Sequence, residues 1–151
     1  MVDEQTRQAR GIAMRELGRP LELITELRDI RAELDDIEHD LQGVDYGERI
    51  GGRSADQTSR TERAAIRAEK VCERLREVYS EWADADDRAV EIIRRVYQWD
   101  ARSALHLTWH YLSGYSMRQL EDMTGYSGEY LRQLKNRGLD LAYLAIRDMD
   151  G

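Results

Sequence analysis

Ten residues near the C-terminus carry the groups best suited to recognition chemistry: Ser116, Arg118, Ser127, Gly128, Glu129, Arg132, Gln133, Lys135, Asn136 and Arg137. Their hydroxyl, amide and guanidinium groups suit phosphate oxygens and the base edges exposed in the major groove of duplex DNA. Placing them on one surface requires two short helices packed through a small turn residue with positive φ, and Gly125 stands where that turn must be. Ser116 and Ser127 occupy N-cap positions for helices over 117–123 and 128–148. Leu120 and Met123 are expected to anchor the first helix and Leu131 and Leu134 the second, with Tyr126 plugging the turn. A preceding helix over 101–112 is expected to bury Leu105, Trp109 and Leu112.

The residues Leu-Thr-Trp-His-Tyr-Leu-Ser-Gly-Tyr-Ser at 107–116, with Leu120, Met-Thr-Gly-Tyr-Ser at 123–127 and Tyr130-Leu131, resemble the C-terminal promoter-reading domain of bacterial sigma factors. The whole layout is similar to small phage- and prophage-encoded regulators of the ArpU/RinA type, which pair a helical hairpin and a Gly/Ser-rich loop with a sigma-like helix-turn-helix. The likeness covers residues 21–148 in layout and 105–137 in motif. It implies a transcriptional regulator whose partner is double-stranded DNA, with RNA polymerase as a further partner. The second helix of the motif, starting near Ser127, would enter the major groove, while Ser116 and Arg118 approach the backbone. No second, DNA-melting region accompanies the motif, so a complete sigma factor is not implied. One position departs from the family: Glu121 stands where a small residue usually sits, four before the turn glycine. A carboxylate is costly in a tight packing position, which predicts a more open crossing of the two helices.

Upstream, the sequence sets out the arm that presents this unit. Leu23, Leu27, Ile30, Leu34, Ile37 and Leu41 alternate spacings of four and three, a seam of the coiled-coil type. A second seam runs through Ala64, Ala68, Val71, Leu75, Val78 and Trp82. Between them, residues 42–60 are rich in Gly and Ser and read as a flexible loop, so the seams predict an antiparallel hairpin or a hairpin that forms a homodimer. Gly18-Arg19-Pro20 reads as a stop and restart, separating an N-terminal helical segment, 1–20, from the hairpin at 21–82. Ala83 to Asp87 reads as an acidic break, followed by a helix over 88–99 with Val90, Ile93 and Val96 on one side. The DNA-binding domain would then span 88–151. The fold class is all-α: a coiled-coil-like hairpin arm followed by a sigma-like helix-turn-helix bundle.

Charge bears on the reading in two ways. The chain carries a formal net charge of −7, contrary to the basic balance expected of a nucleic-acid-binding domain. From Asp100 onward, however, six bases face seven acids, so the acidic excess lies upstream. Between Arg49 and Arg76 eight bases face four acids, and Arg49, Arg53 and Arg60 are candidates for backbone contacts from the loop. The single cysteine, Cys72, excludes an intrachain disulfide and fits a reducing, cytoplasmic compartment. Its place beside Val71 suggests a buried or half-buried thiol. Neither a signal peptide nor a membrane span is expected.

Other chemistries have weaker support. Glu26/Asp29 and Glu33/Asp36 have the spacing of carboxylates in all-α, metal-dependent nucleotide hydrolases, but they flank an apolar seam and alternate with Arg28 and Arg31, as a solvated helix face would. His106 and His110 at i, i+4 form a legal metal pair without a third ligand, and read as surface or half-buried side chains. Trp82, Trp99 and Trp109 read as core anchors. Gly51-Gly52 lacks the Lys-Ser/Thr of a phosphate-cradling loop. No catalytic residue, metal or cofactor is expected. The alternative to a regulator is a phage structural or DNA-packaging assembly protein, similar to a small terminase, that oligomerises through its coiled coil.

Overall fold

The structure, a computed structural model, describes residues 2–46 and 55–151, with side chains described at 2–41 and 59–151. It is all-α among these residues. Helix α1 spans Glu4–Tyr46, α2 Ala55–Trp99, α3 Ala101–Leu107, α4 Met117–Thr124 and α5 Gly128–Asp150, with a π-helical turn, Thr108–Leu112, directly after α3. The chain divides into two compact units. One comprises residues up to Glu22 and from Trp82 onward, and the other Leu23–Glu81. None of the described helices is long and apolar enough to cross a membrane.

Leu23–Glu81 is an antiparallel helical hairpin. Arg74 meets Glu26 at 3.6 Å and Arg67 meets Glu33 at 3.5 Å, so residue numbers fall on one helix as they rise on the other. Leu23, Ile30 and Ile37 of α1 and Val71 and Val78 of α2 are buried, each seven residues from the next. The intervening seam residues Leu27, Leu34, Leu75 and Ala68 are half-buried. Cys72, one position off the seam, is exposed, because a step of about 100° carries it past the buried stripe. The expected loop at 42–60 is shorter, since α1 continues to Tyr46 and α2 begins at Ala55.

The other unit is built on α1 up to Glu22, α2 from Trp82, and everything that follows. Its core joins Ala13 and Leu17 of α1, Ala89, Ile92, Ile93 and Val96 of α2, Ala104, Leu107 and Tyr111, and Leu139, Ala142, Ala145 and Ile146 of α5. The many alanines let helix backbones approach closely. Gly138 is the extreme case: a Cβ there would lie 2.9 Å from Leu107 Cγ. Arg88 ties three helices together, donating to Glu16 of α1 at 2.8 and 3.2 Å and to Asp150 of α5 at 3.0 and 2.9 Å.

Several expected breaks are absent. Pro20 lies inside α1, so the stop at Gly18–Pro20 does not occur. Proline lacks an N–H and costs a helix interior about 3 kcal/mol, but its ring is fully buried here and the packing offsets that cost. Residues 83–87 continue α2 without interruption, since they contain neither Gly nor Pro and alanine is the best helix former. Phase errors also appear. Leu105 is 44% exposed and Val90 is 48% exposed, while Ser103, Ala104, His106 and Leu107 are buried instead. Trp109 and Leu112 are only half-buried. Trp99 is exposed, so it is not a core anchor.

Candidate nucleic-acid interface

The segment from Ser116 is built from local hydrogen bonds that the residue types dictate. Ser116 Oγ accepts from the Gln119 N–H at 3.1 Å, and the Ser116 N–H donates to Gln119 Oε1 at 2.8 Å, a complete capping box for α4. Gly125 ends α4 in the left-handed region at φ 73°, its N–H donating to the Glu121 carbonyl at 2.9 Å. Ser127 Oγ accepts from the Tyr130 N–H at 3.1 Å and caps α5. The turn between the helices is therefore Gly125, Tyr126 and Ser127.

A small cluster holds the pair together. Leu120, Leu131 and Leu134 are buried against one another, with Trp109, Met117 and Tyr130 packed around them. Met123 is 54% exposed and does not anchor α4, which leaves Leu120 as that helix's one buried side chain. Tyr126 does not plug the turn either. It is exposed and meets Tyr130 edge to face at 5.0 Å, while Arg102 donates to the Tyr130 hydroxyl at 3.2 Å. Glu121 is accommodated without an open crossing: its carboxylate lies over Gly128, where an added Cβ would overlap Oε1. The glycine at the first position of α5 supplies the room that the family pattern takes from position 121.

The outward face of α5 carries Glu129, Arg132, Gln133 and Asn136 at i, i+3, i+4 and i+7. Glu129, Arg132 and Gln133 are exposed, as are Ser116, Arg118 and Ser127, while Gly128 is half-buried. Lys135 and Asn136 are half-buried beside α1. Arg137 is exposed, but its Nε is 2.7 Å from Asp100 Oδ2, the carboxylate that caps α3. Hydrogen bonds from Ser103, and to a lesser extent the Arg137 charge, hold that carboxyl below its ordinary range. Arg137 therefore belongs to the scaffold of this surface. Arg60 is exposed on α2 of the hairpin, whereas Arg49 and Arg53 lie outside the described residues.

Ion pairs redistribute the effective charge of this unit. Asp100, Asp140, Asp148, Asp150, Glu16 and Glu91 are all matched to arginines. Arg118, Arg132 and Lys135 have no ion-pair partner among the described residues. Most of the unit's acids are thus neutralised within the scaffold, and unpaired cations remain around the outer face of α4 and α5.

Sequence reasoning missed two features of the site. The bidentate pair of Arg10 with Asp140, at 2.8 and 3.0 Å, joins residues far apart in the chain and leaves no local pattern. His106 is 2% exposed, and neither of its ring nitrogens has a hydrogen-bond partner among the described residues. Burial, reinforced by the nearby His110 and Lys135, lowers its pKa to about 4. His106 stacks on His110 at 5.8 Å, and the His110 ring nitrogen Nδ1 is engaged by the Tyr115 carbonyl at 2.8 Å. Among the described residues no three His, Cys, Asp or Glu side chains are grouped to hold a metal ion. Glu26 and Glu33 instead face arginines across the hairpin.

No protein-family model, no curated protein and no solved structure matches the chain.

Proposed function

We propose that the chain is a non-enzymatic, sequence-specific regulator that binds double-stranded DNA, of the phage or prophage type that its motif resembles. The N-terminal half of α5 reads the major groove. The observation that carries this reading is the exposed i, i+3, i+4, i+7 face of Glu129, Arg132, Gln133 and Asn136, mounted behind a serine-capped, glycine-ended turn. Arginine suits guanine, glutamine and asparagine suit adenine, and glutamate accepts from the cytosine amino group. Ser116 and Arg118 at the start of α4 approach the backbone. With few unpaired cations on one reader, useful affinity requires a second copy, because phosphate neutralisation supplies much of DNA affinity; the hairpin is the proposed dimerisation arm.

The test is selection from a random duplex library followed by anisotropy titration of the enriched sequence at two salt concentrations. Arg132→Ala together with Gln133→Ala is expected to cost about 10- to 100-fold on the selected site, since each bidentate base contact is worth about 1–3 kcal/mol. Weak non-specific binding would survive. Failure to enrich any sequence, or retention of full discrimination by the double variant, would overturn the assignment.

A further inference from the structure

The first turns of α1 lie beside the middle of α5, leaving a groove of about 560 Å³ lined by Val2, Arg7, Gly11, Met14, Lys135 and Asn136, among others. Two of its cations are available. Lys135 has no ion-pair partner among the described residues. Arg7 is met by Glu4 at 3.8 Å with both side chains largely exposed, and such a pair contributes little. Arg10 is different: its bidentate bond to Asp140 spends the guanidinium and fastens α1 to α5. Gly11 keeps the groove open, since a Cβ there would meet nothing nearer than Arg15 Nη1 at 4.0 Å.

We propose that this groove is a second DNA contact, which takes the sugar-phosphate backbone of the duplex that α5 reads. Arg7 and Lys135 supply charge and Asn136 an amide donor. The inference rests on the proposed reading of α5. Lys135 lies two helical turns along α5 from Gly128, about 10 Å at the α-helical rise. The major groove is about 8.5 Å deep. With the first turn of α5 at the base edges, Lys135 therefore stands level with the phosphates, and α1 brings Arg7 to the same rim. Contacts of this kind carry no sequence information; they position the reader and strengthen binding to every duplex alike.

The test uses the intact chain, the selected duplex and a scrambled duplex, titrated over a series of salt concentrations. Arg7→Ala with Lys135→Ala is expected to weaken both duplexes in parallel and to reduce the salt slope by about 2, roughly one for each lost phosphate contact. Gly11→Glu is a second variant. It replaces a poor helix former with a good one, so the fold is kept, yet it puts a carboxylate in the groove and should weaken both duplexes as well. Wild-type affinity and slope in both variants, alongside loss of discrimination in Arg132→Ala/Gln133→Ala, would overturn the groove contact and leave the reader standing. Absence of any DNA binding by the unaltered chain at low salt would remove the reader itself.

Discussion

Replacing His106 should change how stability depends on pH. In the folded chain its pKa is lowered from 6.5 to about 4 by burial and by its cationic neighbours. A histidine depressed in this way is held neutral, and the unfolded chain binds the extra proton between pH 6.5 and 4. Its contribution is therefore complete above pH 6.5 and is lost as pH falls toward 4. The shift corresponds to about 3 kcal/mol at full development, of which about 2 kcal/mol is gone by pH 5. The carboxylates held low by hydrogen bonds and ion pairs, Glu91, Asp100 and Asp150, act in a different window, because their contributions fall away as pH drops through the ordinary carboxylate range. Urea unfolding followed by circular dichroism at pH 7.5, 6 and 5 isolates the effect. His106→Leu has similar volume and no orphaned ring nitrogens, so it should equal or exceed the parent at pH 7.5 and lose about 2 kcal/mol less on going to pH 5. If parent and variant lose the same stability between pH 7.5 and 5, the burial argument for His106 is wrong.

Two substitutions test the packing that holds the presumed reader. Gly138→Ala adds a Cβ 2.9 Å from Leu107 Cγ; overpacking should outweigh the gain in helix propensity and destabilise by about 1–2 kcal/mol, read as a lower urea midpoint. Arg88→Ala removes the four hydrogen bonds linking α2 to Glu16 and Asp150. Partial solvent exposure limits the cost to about 1–2 kcal/mol, and the loss should shrink in high salt as the parent's ion pairs are screened.

Much of this architecture was legible because it is local. Heptad spacing marked both helices of the hairpin, and the serine caps around Gly125 marked α4, the turn and the start of α5. The errors came where packing overrides local preference. Gly18–Pro20 and Ala83–Asp87 look like breaks until the buried proline ring and the propensity of alanine are weighed. The α3 segment was misphased because the burial of Ser103 and His106 against Leu105's exposure runs counter to hydrophobicity, and is set by α5 packing on that face. Lys135 and Asn136 were placed on the outer face, although α1 lies beside them. Only the fold reveals that neighbour, since the bond from Arg10 to Asp140 spans almost the whole chain.

The seating of the Glu121 carboxylate over Gly128 also has an evolutionary consequence. Large-for-small at one position and small-for-large at the other leave the combined volume nearly constant, so the two sites should drift as a pair. In relatives of this chain, a small residue at the position of Glu121 should accompany a side chain at the position of Gly128, and intermediates with bulk at both should be scarce. A motif scored one column at a time registers two deviations here, whereas the interlocking of the two helices has not been altered.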